Sequence, residues 1–344
     1  MEEEEEEGRG TCCVTGGTGY VASWLIMRLL QHGYSIRATV RSHSSSDNQR
    51  DISYLTSLPG AKERLEIMEA DLDRPESFNR AIQGCVGVFH LAHPMNVDGK
   101  ETEEIVTRRA VEGTLGILKA CLANSDTIKR VVYTSSAVTV LFNDNGASSL
   151  NDETTWSDLE VCRRRSNNDR VSSSYLVSKT VVERTALEFA EKHGLDLVTL
   201  VIPLVVGPFI CPKIPSSVYI SLAMIFGDHD IYKHFVKFDM VHIDDVASAH
   251  IFFMEEHCTD NDAKARRYIC SSADTTVHEL FHSLSTRYPE FHISLLDDLK
   301  EIKIDKKYSS LSSVKLLKTG FKFKFGLDEM LAGAIQSCKD KGFL

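Results

Sequence analysis

The stretch that decides the fold is Thr15-Gly-Gly-Thr-Gly-Tyr-Val-Ala22. It follows a predicted strand, Thr11 to Thr15, and opens a predicted helix that runs from Tyr20 to about His32 and stops at Gly33. A glycine-rich turn in this place lets the backbone approach a pyrophosphate, whose charge then meets the free N–H groups of the helix N-terminus. A tight turn with only a packing role is the alternative. The position of the turn in the first strand–turn–helix favours a dinucleotide site.

The spacing of the small residues in this turn is G-x-x-G-x-x-A, with Ala22 in the third position. That position must be small for the helix to pack against the strand, so alanine is compatible with the motif.

Strands and helices alternate after this turn. Parallel pairing of such strands needs helical crossovers, which cover both faces of the sheet. We therefore predict an α/β fold: a Rossmann-type doubly wound parallel sheet with a smaller C-terminal substrate lobe. The predicted strands are 35–40, 65–69, 86–91, 130–134 and 197–202, and a long helix is predicted at 173–193.

The alternation ends after Pro203, where four prolines occur within thirteen residues. We expect four parts. Residues 1–9 form a disordered acidic tail. Residues 10–202 form the dinucleotide-binding domain, and 236–256 pack back onto it. The substrate-binding lobe consists of 203–235 and 257–344.

Composition excludes several classes of function. The formal net charge is -10, and Glu2 to Glu7 supply six of the negative charges. The remaining chain is mildly acidic, which argues against nucleic acid as a partner. The most apolar segment, 195–210, is interrupted by polar residues and prolines, so it predicts buried strand and turn, with no membrane partner.

The N-terminus lacks the basic and apolar regions of a signal peptide. The nine cysteines include no C-x-x-C pair. We expect a cytoplasmic protein with a small-molecule substrate, as a monomer or a homodimer.

Basic residues after the second strand indicate the cofactor. An acid at this place binds the ribose 2′-hydroxyl of NAD, whereas an arginine suits the 2′-phosphate of NADP. Arg41 stands there, with Arg50 nearby, so we predict NADPH/NADP⁺. Asp71 and Leu72 follow the third strand, where Asp71 is a candidate for hydrogen bonding to the adenine amino group. Acidic strand ends are also commonplace without such a role.

Tyr175 and Lys179 are candidate catalytic residues because a four-residue spacing places them on one face of a helix. A nearby cation lowers the pKa of a phenol, so that it exchanges a proton with a carbonyl oxygen near neutral pH. Ser136 ends a predicted strand at the edge where ligands of parallel sheets bind, and its hydroxyl is a candidate for polarising that oxygen. An ordinary surface pair and a strand-end capping serine are the alternatives.

A competing motif, His278-Glu-Leu-Phe-His282, matches the H-E-x-x-H pattern of zinc proteases. No third ligand is evident. An amphipathic helix with Leu280, Phe281 and Leu284 inside explains the segment, so we predict no metal.

As a set, these motifs resemble the extended short-chain dehydrogenase/reductases. Pro203-Leu-Val-Val-Gly-Pro208, Val241-His-Ile-Asp-Asp-Val-Ala247 and Arg267-Tyr-Ile-Cys-Ser-Ser272 are similar to the plant group of dihydroflavonol, anthocyanidin and vestitone reductases. The resemblance implies Ser136, Tyr175 and Lys179 as catalytic residues. It also implies contacts to the cofactor, including that of Lys179 to the nicotinamide ribose, from Gly16, Gly19, Tyr20, Val21, Arg41, Asp71, Leu72, Leu91, Ala92, Tyr175, Lys179, Pro203, Val205 and Val206.

Three places depart from that group. Dihydroflavonol reductases usually carry an asparagine five residues after the catalytic serine, where this chain has Leu141. His93 replaces a usual threonine or serine, either as a substrate contact or as a space-filling residue. The polar segment 163–174 has no aromatic residue. Leu141 and His93 are therefore the candidate substrate residues.

The sequence predicts an NADPH-dependent reductase of a ketone on a phenolic plant metabolite. Two alternatives stay open: NAD(P)⁺-dependent oxidation of an alcohol or hemiacetal of a specialised metabolite such as an alkaloid, and a non-catalytic NADP(H)-sensing protein.

Overall fold

The structure is a computed structural model that describes residues 9–41, 51–94, 101–143, 150–165, 172–233, 237–255, 265–294 and 310–344. Its described strands are β1 Thr11–Thr15, β2 Ser35–Val40, β3 Leu65–Glu69, β4 Gly87–His90, β5 Arg130–Ser136, β6 Leu197–Ile202, β7 Leu204–Val206, β8 Lys237–His242, β9 Ala265–Ile269 and β10 Ala273–Thr276.

The described α-helices differ widely in length, from single turns to 21 residues. They are α1 Tyr20–Gln31, α2 Ser53–Thr56, α3 Ala61–Arg64, α4 Asn79–Ile82, α5 Glu103–Ala123, α6 Val138–Leu141, α7 Leu159–Arg165, α8 Ser173–His193, α9 Ser216–Ser221, α10 Ile243–Glu255, α11 Val277–Arg287, α12 Val314–Lys318 and α13 Leu327–Asp340. Short 3₁₀ helices occupy Pro75–Phe78, His229–Lys233 and Pro289–Phe291.

The main sheet has seven parallel strands in the order β3-β2-β1-β4-β5-β6-β9. The order reverses between β1 and β4, which is the topological switch point at which doubly wound folds bind ligands. The predicted Rossmann-type fold is confirmed.

Both faces of the main sheet are covered because successive side chains of each strand point to opposite sides. On β1, Cys12 and Val14 belong to one buried cluster with α1 and α10, whereas Cys13 belongs to another with α5 and α8. The strands β4, β5 and β6 are almost entirely buried, as expected of central parallel strands.

A second sheet of three strands has the order β10-β8-β7. Its strands β7 and β10 lie in the segments predicted as the substrate lobe, whereas β8 lies in the segment 236–256, which was predicted to pack onto the dinucleotide-binding domain. Helices α9, α11 and α13 share a buried apolar cluster with this second sheet. The structure differs from the expected segment 257–344 at β9, which joins the main sheet through parallel pairing with β6. The division into two lobes otherwise stays a prediction.

Within the described part of the chain, no helix is both long enough and apolar enough to cross a bilayer.

Candidate active site

The glycine turn leaves an open cradle at the start of α1. Gly16 has φ +71°, and a Cβ built on it would lie 3.1 Å from Ala92 Cα. The N-cap residue of α1 is Gly19, so no side chain caps the helix and its first N–H groups have no intrahelical acceptor. These features fit a pyrophosphate bound through main-chain N–H groups.

The Thr15 hydroxyl joins this turn to the end of β4, a role that the sequence analysis missed. Its oxygen accepts the N–H groups of Leu91 and Ala92, each at 3.0 Å. Both lone pairs are thus occupied, so the hydroxyl donates to His90 Nδ1 at 2.9 Å. His90 Nε2 then donates to Thr114 Oγ1 at 3.1 Å. Burial lowers the pKa of His90 to about 3, helped by Lys179, so the imidazole is neutral.

Other predicted cofactor residues lie at the start of α1 and in or beside β7. The Tyr20 phenol donates to the Gly207 carbonyl at 3.1 Å, next to Val206. Val205 and Val206 are buried in β7, and Pro203 separates β7 from β6. Val21 is half-buried and packs against the cluster around α1.

The residues predicted to bind the adenosine end are placed at the carboxyl ends of β2 and β3. Arg41 is exposed directly after β2. Asp71 Oδ1 accepts the Asp73 N–H at 3.1 Å, so the carboxylate stabilises its own turn. Leu72 is buried against Gly113 of α5. Arg50 lies outside the described residues.

The structure brings Ser136, Tyr175 and Lys179 together. Ser136 is the last residue of β5, whereas Tyr175 and Lys179 lie one turn apart near the start of α8. The Ser136 side chain lies beside the Tyr175 phenol and lowers the pKa of that phenol. The Lys179 ammonium is buried and donates to the Thr134 carbonyl at 3.2 Å.

The electrostatics of this trio differ from the expectation that Lys179 lowers the Tyr175 pKa. Burial raises the pKa of Tyr175 above its usual range, and the hydrogen bond from Ser136 is the influence that lowers it. Burial also lowers the pKa of Lys179 to about 8, while the Glu183 charge raises it. The ammonium points to the Thr134 carbonyl, which explains its weak effect on the phenol.

His93 lies beside the catalytic candidates. Its ring stands edge-on to the Tyr175 ring at a centroid distance of 5.6 Å, and its Nε2 lies 3.1 Å from Ser178 Oγ. Burial and the Lys179 charge hold the pKa of His93 well below its usual range, so the ring is neutral.

The second substrate candidate, Leu141, ends α6 and packs against a different cluster, formed by Ala137, Val140, Val201, Ile269 and Leu311. Its neighbour Phe142 packs, as Val138 and Tyr175 do, against the buried cluster of Cys162, Leu176 and Val177. The sequence analysis missed Phe142 and Val138, although both follow Ser136 closely along the chain. Of the segment 163–174, residues 166–171 lie outside the described residues.

The buried ion pair of Glu183 and Arg267 was not predicted from the sequence. Glu183 lies four residues after Lys179, so helical periodicity was a signal for it. Arg267 arrives from β9, and no local pattern predicts that contact.

The H-E-x-x-H segment forms α11. Glu279 completes a capping box with Thr276, and Leu280 and Leu284 are buried. The described residues contain no group of three or more histidine, cysteine or acidic side chains that is placed to bind a metal.

Comparisons with known proteins identify the family of this chain. Residues 12–268 match the model of the NAD dependent epimerase/dehydratase family. Protein BRI1-5 ENHANCED 1 of Arabidopsis thaliana is 55% identical over 97% of this chain and 90% of its own length. Vestitone reductase of Medicago sativa is 46% identical over 98% and 99%. Noscapine synthase SDR1 of Papaver somniferum is 49% identical over 99% and 96%.

The crystal structure of vestitone reductase from alfalfa superimposes with a TM-score of 0.84 and 44% identity, over 98% of this chain and 100% of that one. The expected resemblance to the extended short-chain dehydrogenase/reductases is confirmed, and with it the class of nicotinamide-dependent oxidoreductases. This chain belongs to the NAD dependent epimerase/dehydratase family.

Proposed function

We propose that this protein reduces a ketone on a phenolic plant metabolite with NADPH. The observation that carries the proposal is the placement of the Ser136 side chain beside the Tyr175 phenol, with the buried Lys179 one helical turn further on. A phenol and a hydroxyl held together in this way are suited to protonating and polarising one carbonyl oxygen.

The cofactor would lie across the switch point of the main sheet. The uncapped start of α1 would bind the pyrophosphate, and Arg41 would pair with the 2′-phosphate that distinguishes NADPH from NADH. Leu91, Ala92 and the segment Pro203 to Val206 would border the nicotinamide. NADPH, when bound, supplies the hydride for the carbonyl carbon.

The protein's own residues supply the proton. Tyr175 donates its phenolic proton to the carbonyl oxygen as negative charge develops there. Ser136 donates a hydrogen bond, first to that oxygen and then to the phenolate that remains. Lys179, protonated below about pH 8, would hydrogen-bond the nicotinamide ribose. Water then returns a proton to Tyr175.

The relatives and the residues beside Tyr175 support a substrate class. Vestitone reductase is named for the reduction of vestitone, and its similarity extends over almost the whole of both chains. We propose a flavonoid- or isoflavonoid-like ketone. His93, as a neutral ring beside Tyr175, would contact this substrate directly.

A panel assay tests the proposal. The protein is incubated with NADPH and with flavanonols, isoflavanones and alkaloid ketones, and the loss of NADPH absorbance is followed. We expect turnover of at least one phenolic ketone. Tyr175→Phe should abolish turnover and leave NADPH binding within a few-fold. Near-normal turnover by this variant would overturn the assignment of the proton donor.

The second candidate is the oxidation of an alcohol or hemiacetal of an alkaloid with NAD(P)⁺, since one relative is named for the formation of noscapine. The same residues serve this direction, with Tyr175 accepting the proton. Formation of NADPH from NADP⁺ and such an alcohol, without ketone reduction, would select it. Binding of NADPH without consumption across the whole panel would instead favour a sensing protein.

A further inference from the structure

We propose that the buried ion pair of Arg267 and Glu183 is a positioning device for Ser136, because its hydrogen bonds hold the side chain of Ser135 and, through Thr139, the carbonyl of Ser136. The inference rests on the proposed function, because it concerns the alignment of Ser136 with Tyr175. The pair itself contacts neither a substrate position nor the turn that would bind the cofactor, so its residues are positioning residues.

Glu183 lies on α8 two turns after Tyr175 and is completely buried. Its two oxygens accept four hydrogen bonds. Oε1 accepts from Thr199 Oγ1 at 2.8 Å and from Arg267 Nε at 2.9 Å. Oε2 accepts from Ser135 Oγ at 2.7 Å and from Arg267 Nη2 at 3.1 Å. A carboxylate has about four acceptor positions, so Glu183 is fully satisfied.

Arg267 is equally satisfied. A guanidinium has five N–H donors in a rigid fork. Two of them bind Glu183, and a third reaches Thr139 Oγ1 at 2.7 Å. The remaining two bind main-chain carbonyls, those of Glu153 at 3.1 Å and Thr155 at 2.7 Å. Lysine cannot reproduce this set, because its three donors radiate from one atom.

The network reaches Ser136 from two directions. Thr139 accepts from Arg267 and donates its own hydroxyl proton to the Ser136 carbonyl at 2.9 Å. On the other side, Ser135 is bound to Glu183 through its side chain. The end of β5 and the start of α6 are therefore tied to one rigid ion pair, which is anchored in α8 and β9.

A contribution to folding stability does not by itself explain why the protein contains this buried ion pair. A buried ion pair gains little over well-packed apolar residues, since the desolvation of both charges offsets their attraction. Directional bonds to a group that must be aligned within a fraction of an ångström are a better reason. Ser136 is such a group, because its hydrogen bond to Tyr175 is the influence that lowers the pKa of the phenol.

The first experiment separates positioning from folding at Thr139. Thr139→Val removes the link from Arg267 to the Ser136 carbonyl and keeps the shape of the side chain, whereas Thr139→Ser keeps the hydroxyl. We expect kcat to fall by at least ~10-fold in the valine variant, with unchanged affinity for NADPH, and to recover in the serine variant. Wild-type kcat in the folded valine variant would overturn the proposal.

The second experiment compares two adjacent arginines of β9. Arg266 is as buried as Arg267 but pairs with Asp196, near the start of β6 and away from Ser136. Arg267→Lys should lower kcat even after the rate is corrected for the fraction of the variant that is folded. Arg266→Lys should lower only the unfolding temperature. Equal effects of the two variants on kcat, per folded molecule, would mean that the pair is merely structural.

A spectroscopic titration tests the inference without turnover. The tyrosinate absorbance of each protein is measured against pH, with and without Tyr175→Phe, and the difference gives the pKa of Tyr175. Misaligned Ser136 should raise this pKa in Thr139→Val. An unchanged pKa of Tyr175 in Thr139→Val would contradict the positioning role. Failure of the panel assay with a shifted pKa would instead reject only the proposed function.

Discussion

At the residue scale, burial of Lys179, the proposed catalytic lysine, lowers the free energy of unfolding. Lys179 is 6% exposed, and its pKa in the folded protein is about 8, against 10.5 for an ordinary lysine. The unfolded chain therefore binds more protons between these two values, and the stability contributed by this residue rises with pH across that window. Below about pH 8 the folded protein carries the full cost of a buried charge.

Lys179→Met removes the buried charge and therefore tests how far that charge lowers the stability of the folded protein. We expect the variant to lose activity and yet to unfold a few degrees higher than the wild type at pH 7. The difference in unfolding temperature between the variant and the wild type should shrink between about pH 8 and pH 10.5. In this range Lys179 is neutral in the folded protein, and protonation of the unfolded chain becomes less favourable as the pH rises. Thermal unfolding at several pH values checks this. A lower unfolding temperature at pH 7 would show that the bond to Thr134 outweighs desolvation.

His93 allows a second prediction at this scale. Its pKa lies well below its usual range, so its protonation should not appear in the pH dependence of the rate between pH 5 and 8. His93→Thr should raise the KM of the ketone roughly 10-fold, through the lost contact, and leave the KM of NADPH unchanged. His282→Thr, at an exposed position of α11, is the control. A changed KM for NADPH alone would place His93 on the cofactor side.

At the scale of the element, the glycine turn combines two constraints that substitution can separate. Gly16 and Gly194 have nearly the same backbone conformation, with φ of +71° and +69°. A Cβ at Gly16 would press on Ala92, whereas one at Gly194 would meet nothing within 4 Å. The strain of a left-handed alanine is therefore common to both sites, and the loss of space occurs only at Gly16.

Gly16→Ala should weaken NADPH binding by at least ~10-fold, because the cradle that admits the pyrophosphate would be closed. Gly194→Ala should cost a similar ~1–2 kcal/mol of backbone strain and leave NADPH binding unchanged. Fluorescence titration with NADPH and thermal unfolding measure the two effects. Similar affinity of both variants for NADPH would contradict a pyrophosphate site at this turn.

At the scale of the whole molecule, one buried carboxylate joins the two sheets. Asp245 on α10 accepts the N–H groups of Lys324 at 2.9 Å and Phe325 at 3.2 Å. Phe325 in turn stacks on His242 at the end of β8, with ring centroids 4.1 Å apart. The chain that leads into α13 is thereby fixed to a helix that packs on the main sheet.

Asp245→Ala should leave two main-chain N–H groups without their acceptor and destabilise the protein by roughly 2–4 kcal/mol. We expect a lower unfolding temperature and faster proteolysis near residue 320. Asp126→Asn, at an exposed position between α5 and β5, serves as the control. Unchanged proteolysis would show that α13 is held by its apolar contacts alone.

The sequence by itself determined six of the seven strands of the main sheet and the helices that alternate with them. The bounds of β1, β2, β3 and β6 agree with the predicted strands, because alternation of apolar strands with amphipathic helices is a local pattern. The glycine turn and the spacing of Tyr175 and Lys179 are also local. Each depends on a few consecutive residues with a definite backbone geometry.

Only the tertiary structure decided the contacts that join distant segments. Arg267 meets Glu183 across 84 residues, and His90 meets Thr15 across 75. The strand β9 joined the main sheet for the same reason, since pairing with β6 depends on a partner and not on its own sequence. The pKa values of Tyr175 and Lys179 were also decided by the tertiary structure, because burial shifts both of them and the spacing of residues in the sequence does not show burial.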